Sequence, residues 1–193
     1  MSEVGDRERA TQDRVVKLFR NQLHYNYLGN WEDRSDNSNI EELEVKKYLS
    51  SRGYSTTLIA RALDQLRNAA NNYTESLYTN NQNVYKLLRY GAKVVEHAGE
   101  NNQDVCFIDW KHPEKNNFAI AEEVTIQGNH DKRPDVVLYV NGIALGVLEL
   151  KRSTVSIGDG IRQNIVNQQK EFIQSFFSTI QFVFAGNDTE GLR

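Results

Sequence analysis

Arg133-Pro-Asp-Val-Val-Leu-Tyr-Val-Asn-Gly-Ile-Ala-Leu-Gly-Val-Leu-Glu-Leu-Lys151 is the stretch whose reading decides the fold. Val136 to Val140 and Ile143 to Leu150 are apolar runs rich in β-branched residues. Asn141-Gly142 between them is the strongest short hairpin signal, because both residues accept φ > 0. Pro134 fits the first position of a strand, where a missing N–H costs little. Register then decides the chemistry. A strict two-residue loop sets Asp135 opposite Leu148 and Glu149 opposite Pro134, with the two acids on opposite faces. A three-residue loop with a G1 bulge at Gly142 or its neighbour sets Asp135 directly across from Glu149, with Lys151 two residues on along the same face. Directly opposed side chains lie about 4.5–5.5 Å apart at Cβ, so two carboxylates there repel unless a cation sits between them. The bulged register is the expectation, and with it a divalent-metal site.

Taken alone, Pro-Asp…Glu-x-Lys is a loose pattern that a solvated hairpin also satisfies. It resembles the PD-(D/E)xK nuclease superfamily. The longer stretch resembles the N-terminal nuclease domain of the restriction (R) subunit of type I restriction-modification enzymes. That likeness extends to Gly160-Ile-Arg-Gln163, Ala185-Gly-Asn-Asp-Thr-Glu-Gly-Leu-Arg193, Asn83-Val-Tyr-Lys-Leu-Leu-Arg-Tyr-Gly91 and Ile108-Asp-Trp-Lys-His-Pro-Glu114, and so covers most of the chain. The resemblance implies that Asp135, Glu149 and the backbone carbonyl of Leu150 hold Mg²⁺, and that Lys151 positions or deprotonates the attacking water. It implies a glutamine on the following helix, for which Gln163 stands at the matching place. The family's tyrosine four residues further on is replaced by Asn167; Gln168 with Phe172 has the same spacing, five residues later. An acid on the first helix, with Glu8 as candidate, is expected to approach the metal from the side, although an acid in a first helical turn also suits the helix dipole.

The resemblance further implies double-stranded DNA as substrate and methyltransferase (M) and specificity (S) subunits as partners. Helicase-like translocase domains are expected to follow directly in the longer protein, and ATP is expected to be theirs. No Gly-x-x-x-x-Gly-Lys-(Ser/Thr) phosphate loop occurs in these residues, and the chain is expected to be an excised fragment. Arg162 at the start of the crossover helix is a candidate for orienting a phosphate. Lys86 and Arg89 are candidates for DNA contact, with a solvated helix face as the plainer reading. Two other classes stay open: a non-catalytic DNA-guiding or docking module that keeps the fold, and a stand-alone Mg²⁺ nuclease.

Composition bounds these readings. The chain has 193 residues, 39 % hydrophobic and 25 % charged, which suits one globular domain. No run is long enough to span a membrane and the first residues lack the apolar region of a signal peptide. Cys106 is the single cysteine, which excludes a disulfide framework or a cysteine metal site, points to the cytoplasm, and suggests a small buried hydrophobe. A net charge of −3 argues against a protein that coats polyanions generally, but not against a local basic groove.

Along the chain, residues 1–100 read as mainly helical and 101–193 as a mixed-sheet catalytic core. Glu8 to Leu23 reads as an amphipathic helix with Val15, Leu18, Phe19 and Leu23 inward, and Tyr25 to Asn39 as a loop. Helices are expected over Glu41–Ser51, Thr56–Tyr78 and Val84–Tyr90, with breaks at Asn71-Asn72 and Asn80-Asn81. Short or regular strands are expected over Lys93–Glu96, Val105–Trp110 and Phe118–Ile126. Glu122 and Glu123 then fall mid-strand, so that one faces inward or the strand ends there. A helix from about Ile161 to Ser175, capped by Asp159, precedes a strand over Ile180–Ala185 that returns parallel to the hairpin. The fold class is therefore α/β, restriction-endonuclease-like, with a mixed sheet of about 4–6 strands, a central antiparallel hairpin and helical flanks.

Overall fold

The computed structural model describes residues 3–193, with side chains from residue 9 onward. The elements in order are α1 (Glu3–Asn21), β1 (Asn26–Asn30), α2 (Glu42–Ser51), α3 (Thr56–Ala70), α4 (Leu77–Tyr90), β2 (Ala92–Val94), β3 (Gln103–Val105), β4 (Phe118–Glu122), β5 (Val136–Val140), β6 (Ile143–Leu150), α5 (Ile157–Asn167), β7 (Phe182–Asn187) and β8 (Gly191–Leu192). The main sheet is six-stranded and mixed, in the order β1-β4-β5-β6-β7-β8, and β2-β3 form a separate ribbon. β4, β5 and β6 are antiparallel in sequence, while β7 runs parallel to β6 and β1 parallel to β4. The α/β class, the central hairpin and the parallel return strand are as the sequence predicts. No helix among the described residues is long and apolar enough to cross a membrane.

The hairpin turn is a two-residue one, with Asn141 at φ 52 and Gly142 at φ 85. Asn141 donates its amide N–H to the Phe107 carbonyl at 2.8 Å and to Asn116 Oδ1 at 2.8 Å, and accepts from the Asn117 N–H at 2.7 Å. Gly142 leaves no room for a side chain: a Cβ would lie 2.8 Å from the Val45 nitrogen and 2.9 Å from the Glu41 carbonyl oxygen. Close to the turn the pairing is the strict one, Val140 with Ile143 and Tyr139 with Ala144. It then shifts, and Leu138 pairs with Gly146, Val137 with Val147 and Val136 with Leu148. The bulge is thus Leu145 on β6, not a G1 bulge at Gly142. The Asn-Gly turn satisfies itself with two positive φ values, so the extra residue moves inward to where Leu145 packs on the helical core. The register beyond it is the bulged one.

Both faces of the sheet are covered, which explains the near-continuous apolar runs. Val137, Tyr139, Ala144 and Val147 meet Ile173, Phe176 and Phe177 on one face, while Val136, Leu148 and Leu150 meet Val16 of α1 on the other. A third cluster joins α2, α3, α4 and the β2-β3 ribbon to Ile143.

Several local expectations are corrected. Residues 26–30 form β1 within the predicted loop, because an edge strand needs only one partner and β4 supplies it; the helical N-terminal part thereby contributes to the main sheet. The helix starting at Thr56 stops at Ala70, and α4 begins at Leu77 under a Ser76 cap. Asn80 and Asn81 sit inside α4, where the Asn81 amide donates to the carbonyls of Phe177, Ser178 and Ile180. The strand through Val105 ends at Val105, and Cys106 is exposed rather than buried. The strand from Phe118 ends at Glu122, because Glu123 takes a left-handed φ of 50. α5 starts earlier than expected, at Ile157, capped by Ser156. Its buried face is Ile157, Gly160, Asn164 and Asn167, whereas Ile161 and Ile165 are exposed. On α1, Val16 is buried beside Thr11 and Gln12 while Leu18 faces solvent, and Leu23, past the end of the helix, is exposed as well.

Candidate active site

One step beyond the Val136–Leu148 pair, the register sets Asp135 against Glu149. Asp135 Oδ2 accepts the Leu150 backbone N–H at 2.6 Å, which turns its carboxylate toward the end of β6. Glu149 is fully buried. From α5, Gln163 donates an amide N–H to Glu149 Oε1. Gln163 Oε1 accepts from Lys151 Nζ at 2.8 Å, and that amine lies 3.5 Å from Glu149 Oε1. The amide orientation is forced: an ammonium only donates and a carboxylate only accepts, so the oxygen faces Lys151 and the NH₂ faces Glu149. The Lys151 backbone is tied to β7 through its N–H to the Gly186 carbonyl at 2.8 Å. Gly160 brings α5 close enough to deliver Gln163. A Cβ there would stand 3.0 Å from Ala185 Cβ and 3.6 Å from both the Glu149 carbonyl oxygen and Lys151 Cγ.

A second wall comes from the end of β4 and from α1. Glu122 is 4 % exposed and faces α1. Its carboxylate accepts from Gln12 Nε2 at 2.9 Å and from the Tyr27 hydroxyl at 2.7 Å, and Arg9 lies 3.4 Å away. Burial first, then the hydrogen bond to Glu122, push the Tyr27 hydroxyl up to about 12. Gln12 also reaches the Asp135 carbonyl at 3.4 Å, linking α1 to the strand that carries the first acid. The left-handed turn at Glu123 swings its carboxylate between Arg133, at 2.8 Å, and Arg9, at 3.6 Å. Arg9, Gln12, Glu123, Arg133, Asp135, Glu149, Lys151 and Gln163 line one open cleft.

Asp135, Glu149, Leu150, Lys151 and Gln163 thus come together from positions up to 28 residues apart, Asp135 and Gln163 being the extremes. Arg162 does not line the cleft; it is exposed on α5 and ion-paired with Asp159. Lys86 and Arg89 lie on the outer face of α4, also outside the lining. Asn167 is buried and Phe172 packs near His130 and Lys132, so neither stands at the cleft in place of a tyrosine. The side chain of Glu8 lies outside the described residues. Of Glu122 and Glu123, one is expected to face inward or to end the strand. Glu122 does face inward and Glu123 ends the strand and lines the cleft, while Arg9, Gln12 and Arg133 join the lining without having been predicted. The signal for the acids was their place at the end of an apolar strand; Arg9, Gln12 and Tyr27 had none, since only the packing of α1 and β1 against β4 brings them there.

Among the described residues, no three His, Cys, Asp or Glu side chains stand together as a metal cage. The donors that do converge are two carboxylates, Asp135 and Glu149, beside the backbone of Leu150. Each carboxylate has one oxygen held by an N–H donor, which orients it. This hard oxygen set fits Mg²⁺, which commonly takes one or two carboxylates and keeps several waters.

The model of the family described as type I restriction enzyme R protein N terminus matches residues 6–193. A type I restriction enzyme endonuclease subunit of Staphylococcus saprophyticus is 24 % identical over 167 residues, covering 76 % of this chain and 18 % of that protein. The MjaVIIP endonuclease subunit of Methanocaldococcus jannaschii is 32 % identical over 102 residues, 51 % of this chain and 9 % of that protein. The type I restriction enzyme HindI endonuclease subunit of Haemophilus influenzae is 33 % identical over 79 residues, 39 % of this chain and 8 % of that protein. The chain therefore spans less than a fifth of the length of these relatives.

Proposed function

The chain belongs to the family of type I restriction enzyme R protein N termini, and from that premise we propose that it is the metal-dependent nuclease part of such an enzyme, cutting double-stranded DNA at the Asp135–Glu149–Lys151 cleft. The observation that carries this reading is the shifted register of β5 and β6, which sets one acid across from the other with the lysine on the same face. Nothing in a merely solvated hairpin calls for a fully buried glutamate held by an amide that also holds an amine.

Phosphodiester hydrolysis needs a nucleophile, neutralisation of the phosphate and help for the leaving oxygen. Asp135, Glu149 and the Leu150 carbonyl would hold Mg²⁺, which when bound supplies charge neutralisation and acidifies water. The chain's own residues do the rest. Lys151 stands on the same face as both acids and orients the attacking water. Gln163 holds the Lys151 amine in place and keeps the Glu149 carboxylate turned into the cleft. Gln12 and Glu122 hold α1 against the strand that bears Asp135. Arg162, exposed at the outer face of α5, meets the DNA backbone beside the cleft. In the longer protein the M and S subunits select the target and the translocase domains use ATP; this chain carries no groove-reading motif of its own.

The test uses the full R subunit assembled with its M and S subunits. Glu149→Gln and Lys151→Ala are expected to abolish DNA cleavage while ATP-driven translocation persists. Cleavage at the wild-type rate in both variants overturns the assignment.

A further inference from the structure

α4 reads Leu77-Tyr-Thr-Asn-Asn-Gln-Asn-Val-Tyr-Lys-Leu-Leu-Arg-Tyr90, fourteen residues without an acid, in a chain of net charge −3. Its inner face is Asn80, Val84 and Leu88. Its outer face leaves Tyr78 75 %, Tyr85 47 % and Tyr90 68 % exposed, with Trp110 alongside at 51 %. Tyr78, Tyr85 and Arg89 fall on one stripe at i, i+7 and i+11, the two tyrosines about 10.5 Å apart along the axis. The Arg89 guanidinium lies 5.5 Å from the Trp110 ring centre and 5.8 Å from that of Tyr90. Trp110 is held outside the core, its indole N–H donating to the Leu88 carbonyl at 2.8 Å.

The charges on this face are uncompensated. Among the described residues neither Lys86 nor Arg89 enters an ion pair. Asp109, the acid beside Trp110, is engaged elsewhere. It pairs with Arg52 at 2.9 Å and accepts the backbone N–H groups of Lys111 and His112. Exposed rings cost solvation and need a reason when they cluster. Exposed rings interleaved with two cations that form no ion pair, on a helix without an acid, match the chemistry of unpaired bases on a phosphate strand.

We infer that the outer face of α4, with Trp110, binds single-stranded DNA. The rings stack on bases, and Lys86 and Arg89 contact phosphates. A duplex hides its base faces in its own stack, so this surface discriminates for an unpaired strand. The inference goes beyond cleavage, since it uses no residue of the cleft and no metal.

The experiment is titration of this chain, in EDTA at low salt, with a labelled oligothymidylate of about 15 nucleotides, read by anisotropy and by tryptophan fluorescence. Binding with quenching is expected. Tyr78→Ala and Tyr85→Ala should each weaken it about ten-fold. Lys86→Ala and Arg89→Ala should each lower the salt slope by about one. Asp135→Ala and Lys151→Ala should bind as wild type does, which separates this surface from the cleft. Three results overturn the inference: an affinity that the stripe variants leave unchanged; a duplex of equal length bound as tightly as the single strand; or no binding, which would assign the face to a protein neighbour.

Discussion

Gln163 joins an acid to a base, since its N–H donates to Glu149 and its carbonyl accepts from Lys151. Gln163→Glu keeps the shape and replaces the donor by an acceptor, so that at neutral pH two carboxylates face each other where Glu149 is fully buried. A charge-assisted hydrogen bond worth about 1.5–3 kcal/mol is lost. Like charges about 4 Å apart repel by about 4 kcal/mol at an effective dielectric of 20. Lys151, 3.5 Å from Glu149, offsets much of that. The introduced carboxyl therefore binds its proton more tightly in the folded chain than in the unfolded one. The folded state then carries more protons, so the variant loses stability as pH rises above about 4.3, and the loss is complete above the raised folded value. Below that window the protonated carboxyl again donates to Glu149. A net loss of about 2–3 kcal/mol at pH 8 corresponds to a fall in Tm of about 4–12 °C for a chain of this size. The assay is thermal unfolding by circular dichroism at pH 4, 6 and 8, with wild type and Gln163→Leu in parallel. Gln163→Leu loses the hydrogen bond without gaining a charge, and its deficit should vary little with pH. A Gln163→Glu deficit as large at pH 4 as at pH 8 would refute the reasoning.

Four further outcomes are expected. Calorimetric titration with Mg²⁺ should show binding to wild type that Asp135→Ala abolishes; undiminished binding in the variant would remove the metal from the hairpin. Asn141→Gly, which loses three hydrogen bonds but keeps its φ, should cost about 2–4 kcal/mol in urea unfolding; Asn141→Ala should cost about 1–2 kcal/mol more, because its φ of 52 is left-handed. Gly160→Leu should force α5 off Ala185, costing about 1–3 kcal/mol and impairing cleavage by the full enzyme more than Ile161→Ala on the exposed face. Tyr27 has its folded pKa raised to about 12, so the stability it lends is full below about 10 and is lost as pH rises through 12; Tyr27→Phe should flatten that alkaline limb in unfolding scans from pH 9 to 12.

The hairpin was legible because its signals agree: apolar runs of strand length, Asn-Gly at the turn and polar ends. The parallel return strand followed from the strand-helix-strand order. Less legible were elements whose residues do not favour them. Asn26 to Asn30 is turn-rich in composition, and becomes a strand only because β4 offers an edge. Ile161 and Ile165 trace one face of the helix in the sequence, yet α5 packs through Gly160, Asn164 and Asn167. Close packing on the sheet favours small and amide side chains there, and Asn164 donates to the Phe184 carbonyl. The core of the site, Asp135, Glu149, Lys151 and Gln163, was proposed from spacing and resemblance, and the structure brings these four together. Of its other wall only the approach of the first helix and an inward acid at Glu122 or Glu123 were legible. The pairing of Arg9, Gln12 and Tyr27 with Glu122 was not, since these residues meet across 113 residues of chain.

By itself, the sequence determined the class of fold, the hairpin and its turn, and which residues were able to form a site. Those depend on local chemistry: φ > 0 at Asn141 and Gly142, and near-continuous apolar runs of strand length beside them. Tertiary structure decided the position of the bulge, because the packing of Leu145 against the helices, rather than the turn, chose where the extra residue sits. It also decided what surrounds the acids, since the approach of α5 depends on Gly160 meeting Ala185, and that of α1 on Glu122 accepting from Gln12 and Tyr27. A strand pattern specifies which side chains share a face. What stands opposite that face is specified only when the rest of the chain packs onto it.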